Sequence, residues 1–211
     1  KGEGDFKYRL LKDVDLYEFF GLKRDTVVMS VEQHEPIKSA GQVDVFYSVP
    51  RFITSGGSNT FGVDGMWKHR IFKSLYFNVG LSFAVSYGEY GSDRIFRKET
   101  MYEAGIPLAL EVVKLEKKKS SMFFAIGITP AYYGTLSTDV TVDNEKRDVD
   151  GRSGYLLVPR IDIGGYIPVN NHHIRVGIFG KYNVNCSTED IDIFKERIGS
   201  TFFGASIGLV F

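Results

Sequence analysis

From Leu75 to Gly88 the chain alternates without interruption. Leu75, Phe77, Val79, Leu81, Phe83, Val85 and Tyr87 occupy one set of positions, and Asn78, Gly80, Ser82, Ala84, Ser86 and Gly88 the other. Successive side chains of a strand leave opposite faces, whereas a helix would scatter both sets around its circumference. The segment therefore reads as a strand with one wholly apolar face and one face of small or polar residues.

The same alternation returns along the chain. Over 102–112 the apolar set is Tyr102, Ala104, Ile106, Leu108, Leu110 and Val112. Over 122–135 it is Met122, Phe124, Ile126, Ile128, Pro130 and Tyr132, over 155–167 Tyr155, Leu157, Pro159, Ile161, Ile163 and Ile167, and over 174–185 Ile174, Val176, Ile178, Tyr182 and Val184. The chain closes with Thr201, Phe203, Ala205, Ile207, Leu209 and Phe211. Two weaker strands precede these, over 43–52 and 60–72, the second setting Phe61, Val63, Trp67 and Ile71 against Gly62, Asp64, Lys68 and Arg70. The count is about eight strands, each near the roughly 9–11 residues with which a tilted strand crosses a bilayer.

The links predict two unlike ends. Short ones fall at 72–74, 116–120 and 169–172, and long polar ones at 90–101, 137–153 and 187–196. Short turns at one end and long loops at the other are the habit of an up-and-down membrane barrel. Residues 1–41 fit less well and read as a periplasmic or rim-lying segment ahead of a barrel over 42–211. The alternative is one more hairpin and ten strands.

Composition decides which face meets which solvent. No apolar run approaches the length of a membrane-spanning helix, and a mean hydropathy of -0.11 is blind to a strand that is apolar only at alternate positions. The face opposite the apolar one is rich in Gly, Ala and Ser and carries few charges: Asp64, Lys68, Arg70, Glu103, Glu111, Arg160, Asp162, Arg175 and Lys181. A water-facing exterior would be dense in Lys and Glu, so the polar face is expected to fill a narrow lumen and the apolar face to meet lipid. The nine charges are expected to pair across that lumen, because an eight-stranded barrel is only about wide enough for its own side chains. Trp67, Tyr87, Tyr102, Tyr132, Tyr155 and Tyr182 fall toward strand ends, where aromatic girdles meet headgroups. A net charge of +0 removes the basic footprint of a nucleic-acid binder.

The terminus Gly204-Ala205-Ser206-Ile207-Gly208-Leu209-Val210-Phe211 resembles the C-terminal signal read by the outer-membrane assembly machinery, with Ile207, Leu209 and Phe211 at its apolar and aromatic positions. Ser206 stands where that signal often has Gly. With Phe61-Gly62-Val63-Asp64-Gly65 and Val79-Gly80-Leu81, the region from about residue 43 onward resembles the small outer-membrane β-barrels of Gram-negative bacteria, especially the Bacteroidota porin-like group that includes PorT. The resemblance implies an all-β, up-and-down barrel in the bacterial outer membrane, in contact with lipid and lipopolysaccharide and with the barrel-assembly machinery during biogenesis. Periplasmic termini and extracellular long loops complete the expected topology.

Such barrels host many functions. The expected one is a structural or interaction subunit of a cell-envelope complex, a secretion or assembly accessory that binds other envelope proteins. A narrow channel for ions or small solutes is the alternative, and a lipid-modifying enzyme the weakest reading. That enzyme would need a catalytic base at the outer rim, yet His69, His172 and His173 map to the turn end and His34 to the N-terminal segment. His172 and His173 are expected as exposed turn residues, and the acidic stretch Asp139 to Asp150 as a solvated loop rather than a calcium site. No cofactor or metal site and no disulfide is expected, Cys186 being the only cysteine.

Overall fold

The structure, a computed structural model, describes residues 36–50, 58–91, 95–148, 150–185 and 201–211. The expectations for residues 1–35, Cys186 and the link 187–196 lie outside the described residues. Alternating sequence becomes strand throughout: β1 (Ser39–Pro50), β2 (Ser58–Phe72), β3 (Leu75–Gly91), β4 (Ile95–Gly105), β5 (Leu108–Val113), β6 (Ser121–Val142), β7 (Glu145–Arg147), β8 (Ser153–Val169), β9 (His172–Tyr182), β10 (Val184–Asn185) and β11 (Thr201–Val210).

All pairings are antiparallel. β1 pairs with β2, β2 with β3, β3 with β4 and then β5, both of these with β6, β6 with β8, β8 with β9, β9 with β11, and β11 with β1. Because β4 and β5 are two halves of one wall strand, eight strands close the ring. The break falls at Ile106-Pro107, where proline has no N–H to give the ladder. Ile106 N–H still donates to the Pro130 carbonyl (3.0 Å), and Gly80 N–H to the Pro107 carbonyl (3.1 Å).

Register fixes the tilt. A row of partners leaves β1 at Ala40 and runs through Lys68, Asn78, Ala109, Gly127, Arg160, Lys181 and Phe202. It returns to β1 at Pro50, displaced from residue 40 to residue 50. Such a stagger goes with strands inclined by roughly 35–45° to the barrel axis.

The apolar face points outward: Leu81 is 72% exposed and Met122 76%, and the exposed set includes Val45, Phe61, Trp67, Phe83, Ile126, Ile163, Ile178 and Leu209. The inner face carries Asp44, Lys68, Asn78, Glu111, Tyr166 and Arg175, all buried. Inner glycines make room for rings. A Cβ on Gly62 would lie 2.3 Å from Phe46 Cζ, and one on Gly204 2.3 Å from Phe179 Cζ. Phe46 on β1 and Phe179 on β9 meet edge to face at 5.8 Å over the intervening β11.

The links differ from expectation in instructive ways. Residues 95–101 and 137–142 are strand, not loop. Alternation does continue through them, but the inward positions are Arg97 and Glu99, whose charges mimic a loop sequence while their burial depends on mutual pairing. A bulge at Thr100/Met101 leaves Leu136 as the extra residue of β6. Asp143 and Asn144, both with positive φ (49° and 67°), turn the chain from β6 into β7, as a tight two-residue hairpin requires. At the short-turn end Leu115 and Glu116 fold inward while their neighbours stay exposed: Leu115 is fully buried, its carbonyl takes the Ile37 N–H (3.0 Å), and Pro36 bridges Glu116.

Candidate functional site: a charged and sealed lumen

Four layers fill the interior. Nearest the short turns, Ala40, Tyr76, Val113, Leu115, Phe123, Tyr166 and Val210 form an apolar cluster, with Ile37 packed against it. Tyr76 Oη donates to the Ile37 carbonyl (2.5 Å), tying the residues before β1 to this floor.

Above it stands the charge network. Lys68 Nζ donates to both carboxylate oxygens of Glu111 (2.8 and 2.6 Å) and to Tyr166 Oη, while Tyr166 Oη donates to Glu111 Oε1 (2.7 Å). Asn78 Nδ2 adds a further donor to Glu111 Oε2 (2.9 Å). Around the ring, Arg160 binds Asp162 through Nε (2.9 Å) and Nη2 (2.7 Å), and Asp64 through Nη1 (2.9 Å). Ser82 Oγ donates to Asp64 Oδ1 (2.6 Å). Arg175 reaches Asp44 Oδ2 (3.1 Å), Ser206 Oγ (3.0 Å) and Asp162 Oδ1 (3.4 Å). The guanidiniums also stack on rings, Arg160 at 3.9 Å from the Phe179 centroid and Arg175 at 4.1 Å from that of Phe123. Removing ions from water is costly, and only multiple charge-assisted bonds of this kind offset that cost.

At the far end a second network caps the barrel. Glu99 accepts from Arg97 Nη2 (2.8 Å), Arg152 Nη2 (2.6 Å) and Thr135 Oγ1 (2.9 Å). Between the networks lie Phe46, Ala84 and Phe179, then Ala131, Tyr133, Leu156 and Val158.

Of the nine charges expected in the lumen, Asp64, Lys68, Glu111, Arg160, Asp162 and Arg175 are joined as described. Lys181 and Glu103 face each other more loosely at 3.8 Å. Arg70 is not joined to the network: it sits half-exposed at the short-turn end of β2, level with Tyr76 of the floor, its backbone N–H on the Lys38 carbonyl (2.8 Å). Gln42, Asp44, Asn78 and Tyr166, and the whole Arg97–Glu99–Arg152 cluster, complete the interior unanticipated. Tyr166 and Asn78 already stood on the polar face by parity. Gln42, Asp44, Phe46 and Ser48 alternate against Val43, Val45, Tyr47 and Val49, so the sequence marks these inward positions by the same parity as the other strands.

The girdle residues divide between the ends. Trp67 pairs with Gly41 at the short-turn end and stacks on His69 at 5.3 Å. Tyr102, Tyr132 and Tyr155 run side by side across β4, β6 and β8 at the other, with centroids 6.2 and 5.5 Å apart. Tyr87 and Tyr182 are exposed, as are Ile207, Leu209 and Phe211. Phe211 is held to Gly41 by two backbone bonds of 2.9 Å. The histidine pair needs correction. His172 is exposed, but His173, one strand position on, points inward, is 1% exposed and donates Nε2–H to the Glu116 carbonyl (2.9 Å). Adjacent strand residues face opposite ways, which also keeps the two rings from sharing a metal.

No family model matches the sequence, and no curated protein matches it. Among solved structures the chain is similar to Neisserial surface protein A, NspA, with a TM-score of 0.53 over 83% of this chain and 97% of that one, at 11% identity. The chain has the eight-stranded outer-membrane β-barrel fold. The N-terminal β-barrel domain of Pseudomonas aeruginosa OprF aligns over 84% of this chain and 100% of its own at 12% identity, with a TM-score of 0.41.

Proposed function

We propose that this barrel is a non-conducting, non-catalytic outer-membrane protein that serves as a structural or interaction subunit of a cell-envelope complex, as an accessory to secretion or assembly. The observation that carries the reading is the filled interior. An apolar floor, a bonded charge network, a ring layer and a capping cluster succeed one another along the axis, and they leave the outer surface and the strand extensions as the parts able to meet partners. The outward apolar belt supports a membrane location, and the resemblance of the C-terminal residues to an assembly signal supports the outer membrane, with periplasmic termini, lipopolysaccharide around the belt and a place in the PorT-like group. The segment ahead of the barrel is assigned to the periplasm as a partner-binding segment; its expected end at residue 41 moves back, because Ser39, Ala40 and Gly41 belong to β1.

The charged chamber within the lumen favours one second reading, a narrow channel for ions or small solutes. Two measurements separate them. Reconstituted in planar bilayers, the protein should give no steady single-channel current, whereas regular conductance steps would establish the channel. Purified from native membranes in mild detergent, it should bring stoichiometric envelope proteins with it, and deletion of residues 1–35 should release them while the barrel stays inserted. Isolation as a lone barrel would overturn the subunit reading.

A further inference from the structure

Between the floor and the ring layer the wall of β3, β5 and β6 is built of small residues, and a chamber of about 50 Å³ remains there. Its lining includes Gln42, Asp44 and Asn78, each no more than 2% exposed. The two amides have fixed orientations. Gln42 Nε2 donates to Asp44 Oδ2 and Asn78 Nδ2 to Glu111 Oε2 (2.9 Å), so a flip of either would set a carbonyl against a carboxylate. Gln42 Oε1 and Asn78 Oδ1 are thereby left as buried oxygens with no partner among the described residues, and so is Asp44 Oδ1. The last lies over Gly208, where a Cβ would come within 1.8 Å of it, so the glycine gives that oxygen its place.

Charge points the same way. Four carboxylates, Asp44, Asp64, Glu111 and Asp162, belong to this network. Among the described residues three cations, Lys68, Arg160 and Arg175, answer them, while Lys181 and Glu103 balance each other. Four against three leaves one negative charge inside a closed wall of apolar layers, where an uncompensated ion is very costly. Three free oxygen acceptors, two of them neutral amides, and one unmatched negative charge suit a hard, singly charged cation. Among the described residues no three His, Cys, Asp or Glu side chains gather as they would for a divalent metal.

We propose that the chamber is a binding site for one monovalent cation of the sodium or potassium class, held by Gln42 Oε1, Asn78 Oδ1 and Asp44 Oδ1 together with water. The ion completes the network and locks the strands that carry these residues, β1 and β3, to β5 and β9 through Glu111 and Arg175.

The test uses the full chain folded into detergent micelles, in sodium, potassium or choline chloride at equal ionic strength, choline being too large to enter. Sodium or potassium should raise the unfolding midpoint saturably, by about 5–10 °C at a hundredfold excess over Kd, and choline should not. Asp44→Asn, which cancels the net charge while keeping an oxygen, should abolish the difference between salts. Asn78→Leu should weaken the apparent affinity at least tenfold. On the unmutated protein, the ²³Na resonance should broaden and sharpen again on competition with potassium. Equal midpoints in all three salts with no sodium broadening would overturn the proposal. A midpoint that ignores the salt but falls as pH rises would also overturn it, by assigning the missing charge to a buried proton.

Discussion

Two of the buried knots of Arg or Lys on carboxylate, one deep in the barrel and one near its far end, are built differently. The inner one, Lys68–Glu111–Tyr166 with Asn78, is shut on every side; Lys68 is 0% exposed, and each Glu111 oxygen has two donors. The outer one, Arg97–Glu99–Arg152, sits on the β4 extension, where Arg152 keeps 12% of its side chain in contact with solvent and two cations share one acid. An excess charge is tolerable beside water, whereas in the slab each ion must be answered. Similar side chains thus serve a rigid interior in one place and a cap with spare positive charge in the other.

Lys68→Met breaks the inner knot and should cost most, about 3–5 kcal/mol, because Glu111 is left buried and charged. Unfolding by urea in lipid vesicles measures it, and Glu111→Leu on top of Lys68→Met should return most of the loss; a double variant no better than the single would show that packing, not charge, governs the site. Next comes the test of the two faces. Phe83→Arg should lose about 2–4 kcal/mol of folding into bilayers. Ser82→Arg, one residue away on the inner face beside Asp64, should lose much less, and equal losses would contradict the assignment of lipid to the apolar side.

At the outer knot, Glu99→Gln should cost about 1–2 kcal/mol and the deficit should shrink as salt rises, since screening reaches a site near water. If it matches Lys68→Met and ignores salt, the contrast between the knots fails. The smallest effect belongs to Glu116 at the short-turn end. Hydrogen bonds from Lys114 and Lys119 hold its carboxyl below the usual carboxylate range. A depressed pKa in the folded state stabilises above the unfolded value and is lost as pH falls through the folded one. Glu116→Gln should therefore lower the unfolding midpoint slightly at neutral pH, and variant and parent should converge in acid.

Parity carried most of the fold. Leu75 to Tyr87, Met122 to Tyr132 and Ile207 to Phe211 fall on the outer face because a strand has no other way to separate such residues. The lumen was legible wherever a charge stood opposite an apolar row, as at Lys68, Glu111 and Arg160. It was not legible at Arg97 and Glu99, because the same polar run is correct for a solvated loop or for a paired, buried strand, and only the partner Arg152, some fifty residues on, distinguishes them. His173 was misplaced for a related reason: a turn ends one residue before it, and a single step along a strand exchanges outside for inside.

The ion pairs of the interior span the chain very unevenly. Lys68 and Glu111 are 43 residues apart, Arg160 and Asp64 96, and Arg175 and Asp44 131. The long-range pairs join the first half of the chain to the last strands, so they form only when β11 docks against β1 and the sheet becomes a ring. Until then a half-inserted sheet would present several unanswered charges along its open inner side, a state the hydrocarbon rejects. An open sheet therefore carries the cost of ions without partners, and closing the ring removes it, so closure and charge pairing are coupled.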